Sequence, residues 1–275
     1  MKKLYFLFIA FILSGCMTMP LKERGLLPGI KAAKLNLVAF RELYPKYIFS
    51  EHSIQSGSEK LYSISASRVD AKLTVLFFGG NQYTINKWAE QTLNYYQNIA
   101  VNVVLVDHCG YGASTGKASL ACMFDGAESA YLTIKEWPEL RALPVIVHGH
   151  SIGSFLAGHV AENHTLAGLI LEGSATTTEE WISVYPKGLR GVFVKKFDID
   201  PALQHRGNLS LMDNLDEPIM IVVGEQDTQT PPLLSKKLFN AVRGNVPKQL
   251  LIVPNRNHLD AAWGDEFRKA FMEIF

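Results

Sequence analysis

Three cysteines in 275 residues are too few for a disulfide-built scaffold. Charge of one sign is missing too: 27 Lys and Arg stand against 26 Asp and Glu, a net charge of +1. No run of Lys or Arg exceeds two residues, so the basic stripe by which a chain meets nucleic acid is absent. No internal repeat, low-complexity segment or Pro/Gly/Ser-rich linker divides the chain. No His, Cys and carboxylate set falls at metal-ligand spacing, and neither a metal nor an organic cofactor is expected. What the chain has in quantity is core. Hydrophobic residues make up 48% of it, enough for one large α/β domain.

The N-terminus differs in kind. Met1-Lys2-Lys3 precedes an unbroken apolar run from Leu4 to Leu13. Ten helical residues rise about 15 Å, half the thickness of a bilayer's hydrocarbon core. That length suits the apolar stretch of a signal peptide better than a spanning helix. The run ends in Leu13-Ser14-Gly15-Cys16, which resembles the lipobox of bacterial lipoproteins. The resemblance implies a signal peptide over 1–15, cleavage before Cys16, and a lipid anchor on its thiol. Met17 after the cysteine, rather than Asp, implies the outer membrane, with the protein in the bacterial cell envelope and facing the periplasm. Cys109 and Cys122 remain. In an oxidising compartment they can bridge, but a pair of buried reduced thiols is the reading slightly favoured here.

Residues 16–45 look like a tether and docking segment, with helical character around Ala32–Leu43. From 46 to 275 strands and helices alternate. Tyr47–Ile54 and Lys60–Ala66 suggest a hairpin at a sheet edge. Lys72–Phe78, Val101–Val106, Pro144–Val147, Leu166–Leu171, Ile219–Val223 and Gln249–Val253 are short apolar runs without polar alternation, as expected of strands buried on both faces. Helices are expected over Thr84–Asn98, Ala121–Glu136, Ser151–Asn163, Leu233–Val242 and a last stretch to Phe275. The result is a mostly parallel central sheet flanked by helices. Residues 173–216 break the rhythm, with aromatics and glycines but no clear strand, and are expected to form a small cap over one end of the sheet. Trp181, Tyr185, Phe193 and Phe197 lie in it. In such sheets ligands sit beyond the carboxyl ends of the strands.

Gly149-His150-Ser151-Ile152-Gly153 fits G-x-S-x-G, and it falls between an expected strand and an expected helix. That context turns a common pentapeptide into a nucleophile elbow, a sharp turn that exposes the serine and aims the Ile152 N–H at a reacting oxygen. A serine hydroxyl needs an adjacent base. His258 follows the last strand directly, whereas His159 and His164 lie on or at the end of a helix and His205 lies in the cap. Asp227 stands three residues beyond Gly224, after the preceding strand, where it can orient the imidazole. Glu225 and Asp260 are its rivals. A second oxyanion donor is expected from the loop after Phe78, where Gly79 and Gly80 lead to the Asn81 N–H.

Taken together, "FFGGNQ", "VDHCGYGASTGKAS", "GHSIGS", "GEQDTQTPP" and "NRNH" resemble the α/β-hydrolases, and among them the Bem46-like serine hydrolases. The resemblance covers roughly residues 47–275. It implies the α/β-hydrolase fold and acyl transfer to water through Ser151, His258 and Asp227, with Asn81 and Ile152 holding the oxyanion; the small size of the 173–216 cap suits an ester or thioester of a small or medium acyl substrate. Asp107, Gly110, Tyr111, Gly112, Ser114 and Gly116 belong to a loop whose role is expected to be structural. Two positions depart from the family: Gly79 stands where a histidine is usual, and His108-Cys109 replaces an aromatic–arginine pair. A peptidase or amidase acting on small peptides is the alternative enzyme, and a non-catalytic envelope lipoprotein the alternative class.

Overall fold

The computed structural model describes residues 17–140, 143–184 and 194–275. The Leu4–Leu13 run, Cys16, Tyr185 and Phe193 lie outside the described residues. In chain order the described strands are β1 (Met17–Leu21), β2 (Ile48–Ser56), β3 (Glu59–Ser67), β4 (Leu73–Phe78) and β5 (Val101–Val106). They continue with β6 (Val145–His150), β7 (Gly168–Glu172), β8 (Val194–Ile199), β9 (Ile219–Gly224) and β10 (Lys248–Val253).

Every residue of β5, β7 and β9 is buried. Their valines and isoleucines are stiff at χ1 and fit a pleated surface, and covered faces on both sides remove any reason for polar alternation. The two faces still divide the side chains with period two. Along β4, Leu76 and Phe78 enter one core, and Val75 and Phe77 the other. Helices Leu120–Ile134, Ile152–Asn163 and Pro232–Ala241 contribute to the first core, and Ile85–Tyr95 and Asp265–Ile274 to the second. The last helix shows how: Phe267, Ala270 and Phe271 recur at three- and four-residue spacing and are its buried stripe. Asp265 and Glu266 sit in its first turn, where the helix dipole favours negative charge.

Eight strands form one sheet in the order β2-β3-β5-β4-β6-β7-β9-β10. β2 and β3 make the antiparallel edge hairpin, β3 is antiparallel to β5, and all the remaining pairs are parallel. From β4 the chain moves to one side to form β5, then crosses to the other side to form β6. The strand order therefore reverses at β4, and a crevice opens at the carboxyl ends of β4 and β6. Residues 79–81 and Ser151 follow those two strands.

Three expectations are corrected. The helix foreseen over 32–43 begins at Leu37, capped by the Asn36 side chain, which accepts from the Val38 N–H. Backbone just upstream is bound elsewhere: Ala32 N–H donates to the Gly112 carbonyl, and Gly112 N–H to that of Ile30. Second, the 173–216 segment contains a strand. β8 pairs in parallel with β1 in a separate two-stranded sheet, so residues 17–21 are a structural element rather than a tether. The cap also holds helices Thr178–Val184 and Leu209–Met212. Third, Cys109 and Cys122 are bridged, with their Cα atoms 5.9 Å apart. The bridge pins the loop after β5 to the helix Leu120–Ile134.

Candidate active site

Ser151 follows β6 and precedes the helix Ile152–Asn163 with a left-handed backbone, φ +55°. For a non-glycine residue that conformation costs roughly 1–3 kcal/mol and persists only where the surroundings hold it. Here they do. The Ser151 N–H donates to the Glu172 carbonyl on β7 at 2.8 Å, and its own carbonyl accepts from the backbone and hydroxyl of Ser154. Neither flanking glycine has room for a side chain. A Cβ on Gly149 would lie 2.2 Å from the Gly153 carbonyl oxygen, and one on Gly153 would lie 2.1 Å from that of Phe78.

His258, on the loop after β10, brings Nε2 to 2.9 Å from Ser151 Oγ and Nδ1 to 2.8 Å from Asp227 Oδ2. A carboxylate only accepts, so Nδ1 carries hydrogen and Nε2 is left to accept from the serine hydroxyl. Asp227 is held just as fully. Its Oδ1 accepts from the Gln229 and Thr230 N–H groups and its Oδ2 from the Thr230 hydroxyl, each at 2.8 Å. Burial alone would raise the Asp227 carboxyl. The His258 and Thr230 hydrogen bonds outweigh it and hold the group below its ordinary value. The rival acids are engaged elsewhere: Glu225 accepts from Asn255 N–H, while Asp260 accepts from Asn257 N–H and pairs with Arg256. The rival histidines downstream of the elbow are engaged elsewhere, His159 against Phe124, His164 against Glu128 and His205 out to solvent beside Glu179.

Asn81 and Ile152 line the same cavity as Ser151 and His258. Among the described residues neither backbone N–H donates to a protein acceptor, so both are free to bind an incoming oxygen. The Asn81 side chain is fixed, donating through Nδ2 to the Leu26 carbonyl at 2.5 Å and accepting from the Tyr111 hydroxyl at 3.1 Å. The family departures take on jobs here. His108 Nε2 lies 2.8 Å from the Gly79 carbonyl and must donate to it, steadying the loop that leads to Asn81. Burial holds His108 down at a pKa of about 4, so it stays neutral. The Tyr83 ring occupies the space beside Gly79. Asp107 Oδ1 and Oδ2 accept from the Ile85 and Ala113 N–H groups.

Sequence reasoning missed a buried cluster under the site. Glu172 closes β7 and is fully buried. Its Oε1 accepts from Ala262 N–H on the loop carrying His258, and its Oε2 lies 3.2 Å from His148 Nε2 at ion-pair distance. His148 Nδ1 in turn lies 2.5 Å from the Tyr96 hydroxyl. His150 Nε2 donates to the His258 carbonyl at 2.7 Å, and desolvation holds its imidazole below the ordinary histidine value. Burial would raise Glu172, but the fields of His150 and His148 and the Ala262 N–H bring it below its ordinary value. An acid ending an otherwise apolar strand was the available signal. Among the described residues no group of His, Cys, Asp and Glu is arranged to hold a metal, and no helix is long and apolar enough to cross a membrane.

No family model matches the chain. It is 26% identical over 201 residues to protein bem46 of Schizosaccharomyces pombe, covering 72% of this chain and 65% of that protein. Over 163 residues it is 28% identical to human alpha/beta hydrolase domain-containing protein 17B, covering 58% of this chain and 51% of that one. The chain thus spans between half and two thirds of the length of these relatives. Among solved structures, the Pyrococcus furiosus esterase Pf2001 superposes with a TM-score of 0.65 at 16% identity, over 85% of this chain and 93% of that one. Strand order, elbow and these likenesses agree: the chain has the α/β-hydrolase fold.

Proposed function

We propose that this chain is a serine hydrolase that cleaves an ester or thioester of a small or medium acyl substrate through an acyl-enzyme intermediate. The observation that carries the reading is the continuous hydrogen-bond line Asp227–His258–Ser151, 2.8 and 2.9 Å long, at a strained elbow that opens into a cavity. Its relatives are α/β-hydrolase proteins and its fold neighbours include an esterase, which supports hydrolysis in general.

In this reading Ser151 Oγ attacks the acyl carbon as its proton passes to His258 Nε2. The Asn81 and Ile152 N–H groups, the latter at a helix N-terminus, bind the oxygen that becomes negative. Asp227 stabilises the imidazolium without taking its proton. His258 then gives that proton to the departing alcohol or thiol, so the leaving group departs neutral. Water, deprotonated by the same imidazole, attacks the acyl-enzyme, and the proton returns to Ser151 as the acid is released. His150 and Glu172 touch none of the reacting atoms. They fix the loop on which His258 rides.

Acylation of Cys16, with the protein held in the bacterial cell envelope, is part of the same proposal and is supported by the lipobox-like Leu13-Ser14-Gly15-Cys16 alone. A fluorophosphonate probe tests the chemistry. Labelling of the wild type that vanishes in a folded Ser151→Ala variant and drops sharply in His258→Ala is the expected result, and a folded wild type that never labels would sink it. A Cys16→Ser variant that stays in the membrane fraction would refute the anchor.

A further inference from the structure

The N-terminal segment does more than lead into the fold. Leu26 and Leu27 line the cavity that Ser151 opens into, together with residues from the 173–216 segment and from the elbow helix. They are held there from three sides. Glu23 Oε1 accepts from the Leu120 N–H at 2.6 Å, tying the segment to a sheet-flanking helix. Asp200 N–H donates to the Leu21 carbonyl and Asp200 Oδ2 accepts from Glu23 N–H, tying it to the cap. The Leu26 carbonyl accepts from Asn81 Nδ2, tying it to the proposed oxyanion loop. Leu27 is 3% exposed and belongs to the same core as Leu203 of the cap.

The cavity has a volume of about 230 Å³. Among the described residues no Lys, Arg, Asp or Glu lines it, and Leu26, Leu27, Ile152, Phe155, Trp181 and Leu203 give it apolar walls. With a methylene taking about the ~30 Å³ of a water, such a space holds on the order of eight non-hydrogen atoms. The reacting carbonyl and the first atom of the leaving group use part of that.

We propose that Leu26 and Leu27 set the acyl-chain limit of the site, forming the wall at which a straight, uncharged chain of about six carbons ends. The assignment rests on the hydrolase reading above. A wall built from a segment remote in sequence from the triad lets chain-length selectivity vary while the chemistry stays fixed. Each methylene that finds room should improve binding about fourfold, and forcing a chain past the wall should cost about 5- to 150-fold in strain (about 1–3 kcal/mol), so that the rate falls beyond the limit.

The test uses the full-length protein with Leu26→Ala, Leu27→Ala and Leu26→Trp variants, each shown to be folded by circular dichroism and a cooperative melt. p-Nitrophenyl esters of two to twelve carbons are the substrates. In the wild type kcat/KM should peak at about six carbons and fall at least about tenfold by ten. Either alanine variant should move the peak two or more carbons longer. Leu26→Trp, at a half-buried position, should depress hexanoate at least about tenfold more than it depresses acetate. An identical chain-length profile in all the folded variants overturns the assignment. A second series reads the wall without catalysis: calorimetric binding of straight-chain methyl ketones of four to twelve carbons to Ser151→Ala, with and without Leu27→Ala. If esters and fluorophosphonate both fail, the hydrolase reading falls. A ketone cut-off that still moves with Leu27 then sustains the wall, and a fixed cut-off or no binding refutes it.

Discussion

Two regions of this molecule are built on different principles. The sheet end that carries Ser151, Asp227 and His258 is made of short turns, each following directly on a strand: buried β6 and β9, and β10 at the half-buried edge, where the sequence reading expects both faces covered. The cover is made of pieces far apart in the chain: β1 pairs with β8, and the Leu26 carbonyl bonds to Asn81. At the sheet end, strain is stored and opposed by neighbours on adjacent strands, as when Glu172 on β7 receives the Ser151 N–H. At the cover, contacts between remote segments shape a volume. Under the proposed function, geometry in the first region sets which bond breaks, and volume in the second sets which molecule is admitted.

The sharpest way to separate the regions is to damage the first. Ser151→Ala or His258→Ala should lower kcat/KM by about 10⁴-fold or more with the melt retained, as in other groups that act as a unit. Asp227→Asn should cost nearly as much, because the amide offers hydrogen where His258 Nδ1–H needs an acceptor. Ser151→Gly should show the opposite sign in stability. It relieves the φ of +55° and should raise the unfolding free energy by about 1 kcal/mol while abolishing activity.

Next in size is the joint between the regions and the sheet. Removing the bridge with Cys109→Ser/Cys122→Ser frees a loop closed over 13 residues and should cost about 3 kcal/mol by chemical denaturation. The pH dependence follows from Asp227 and Glu172, both depressed on folding. Their contribution is complete above their ordinary values and is lost as pH falls through them toward the lower folded values. The melting temperature should therefore drop below about pH 5, and less steeply in Glu172→Gln. The smallest effect belongs to the cover's edge. Lys22 and Asp198 are paired at 3.1 Å but more than half exposed, so replacing either with alanine should change stability by less than about 1 kcal/mol.

These regions also differ in how far they could be read from the sequence. Ser151, Asp227 and His258 were nominated from short segments because each turn is specified within a few residues of a strand whose apolar run is plain. The structure brings those three side chains together, with Asn81 and Ile152 beside them. The strand β8 was invisible because Val194–Ile199 has no long apolar run, and its partner lies at the far end of the chain. The helix begins at Leu37, five residues later than the sequence suggests, since composition does not reveal that residues 30–32 exchange hydrogen bonds with Gly112. Glu172 is not legible in the sequence because a buried acid shows only through its partners, and these come from two other segments, His148 and His150 from β6 and Ala262 from the loop that carries His258. The bridge is hidden for a related reason: whether two thiols meet depends on a Cα separation that spacing in the chain does not supply.

Strand β1 opens at Met17, the residue after Cys16. Under the proposed acylation nothing separates the fatty chains from folded backbone, so the enzyme would ride the bilayer as a fixed post and not as a float on a line. Its heading would be set by the β1–β8 ladder, and Leu26 would stand only ten residues from the anchor. A catalyst mounted that way searches a surface in two dimensions. For a substrate that partitions into that membrane, the working concentration would be the number of molecules per unit area beneath the enzyme, and a rate measured in dilute solution would understate what it does in place.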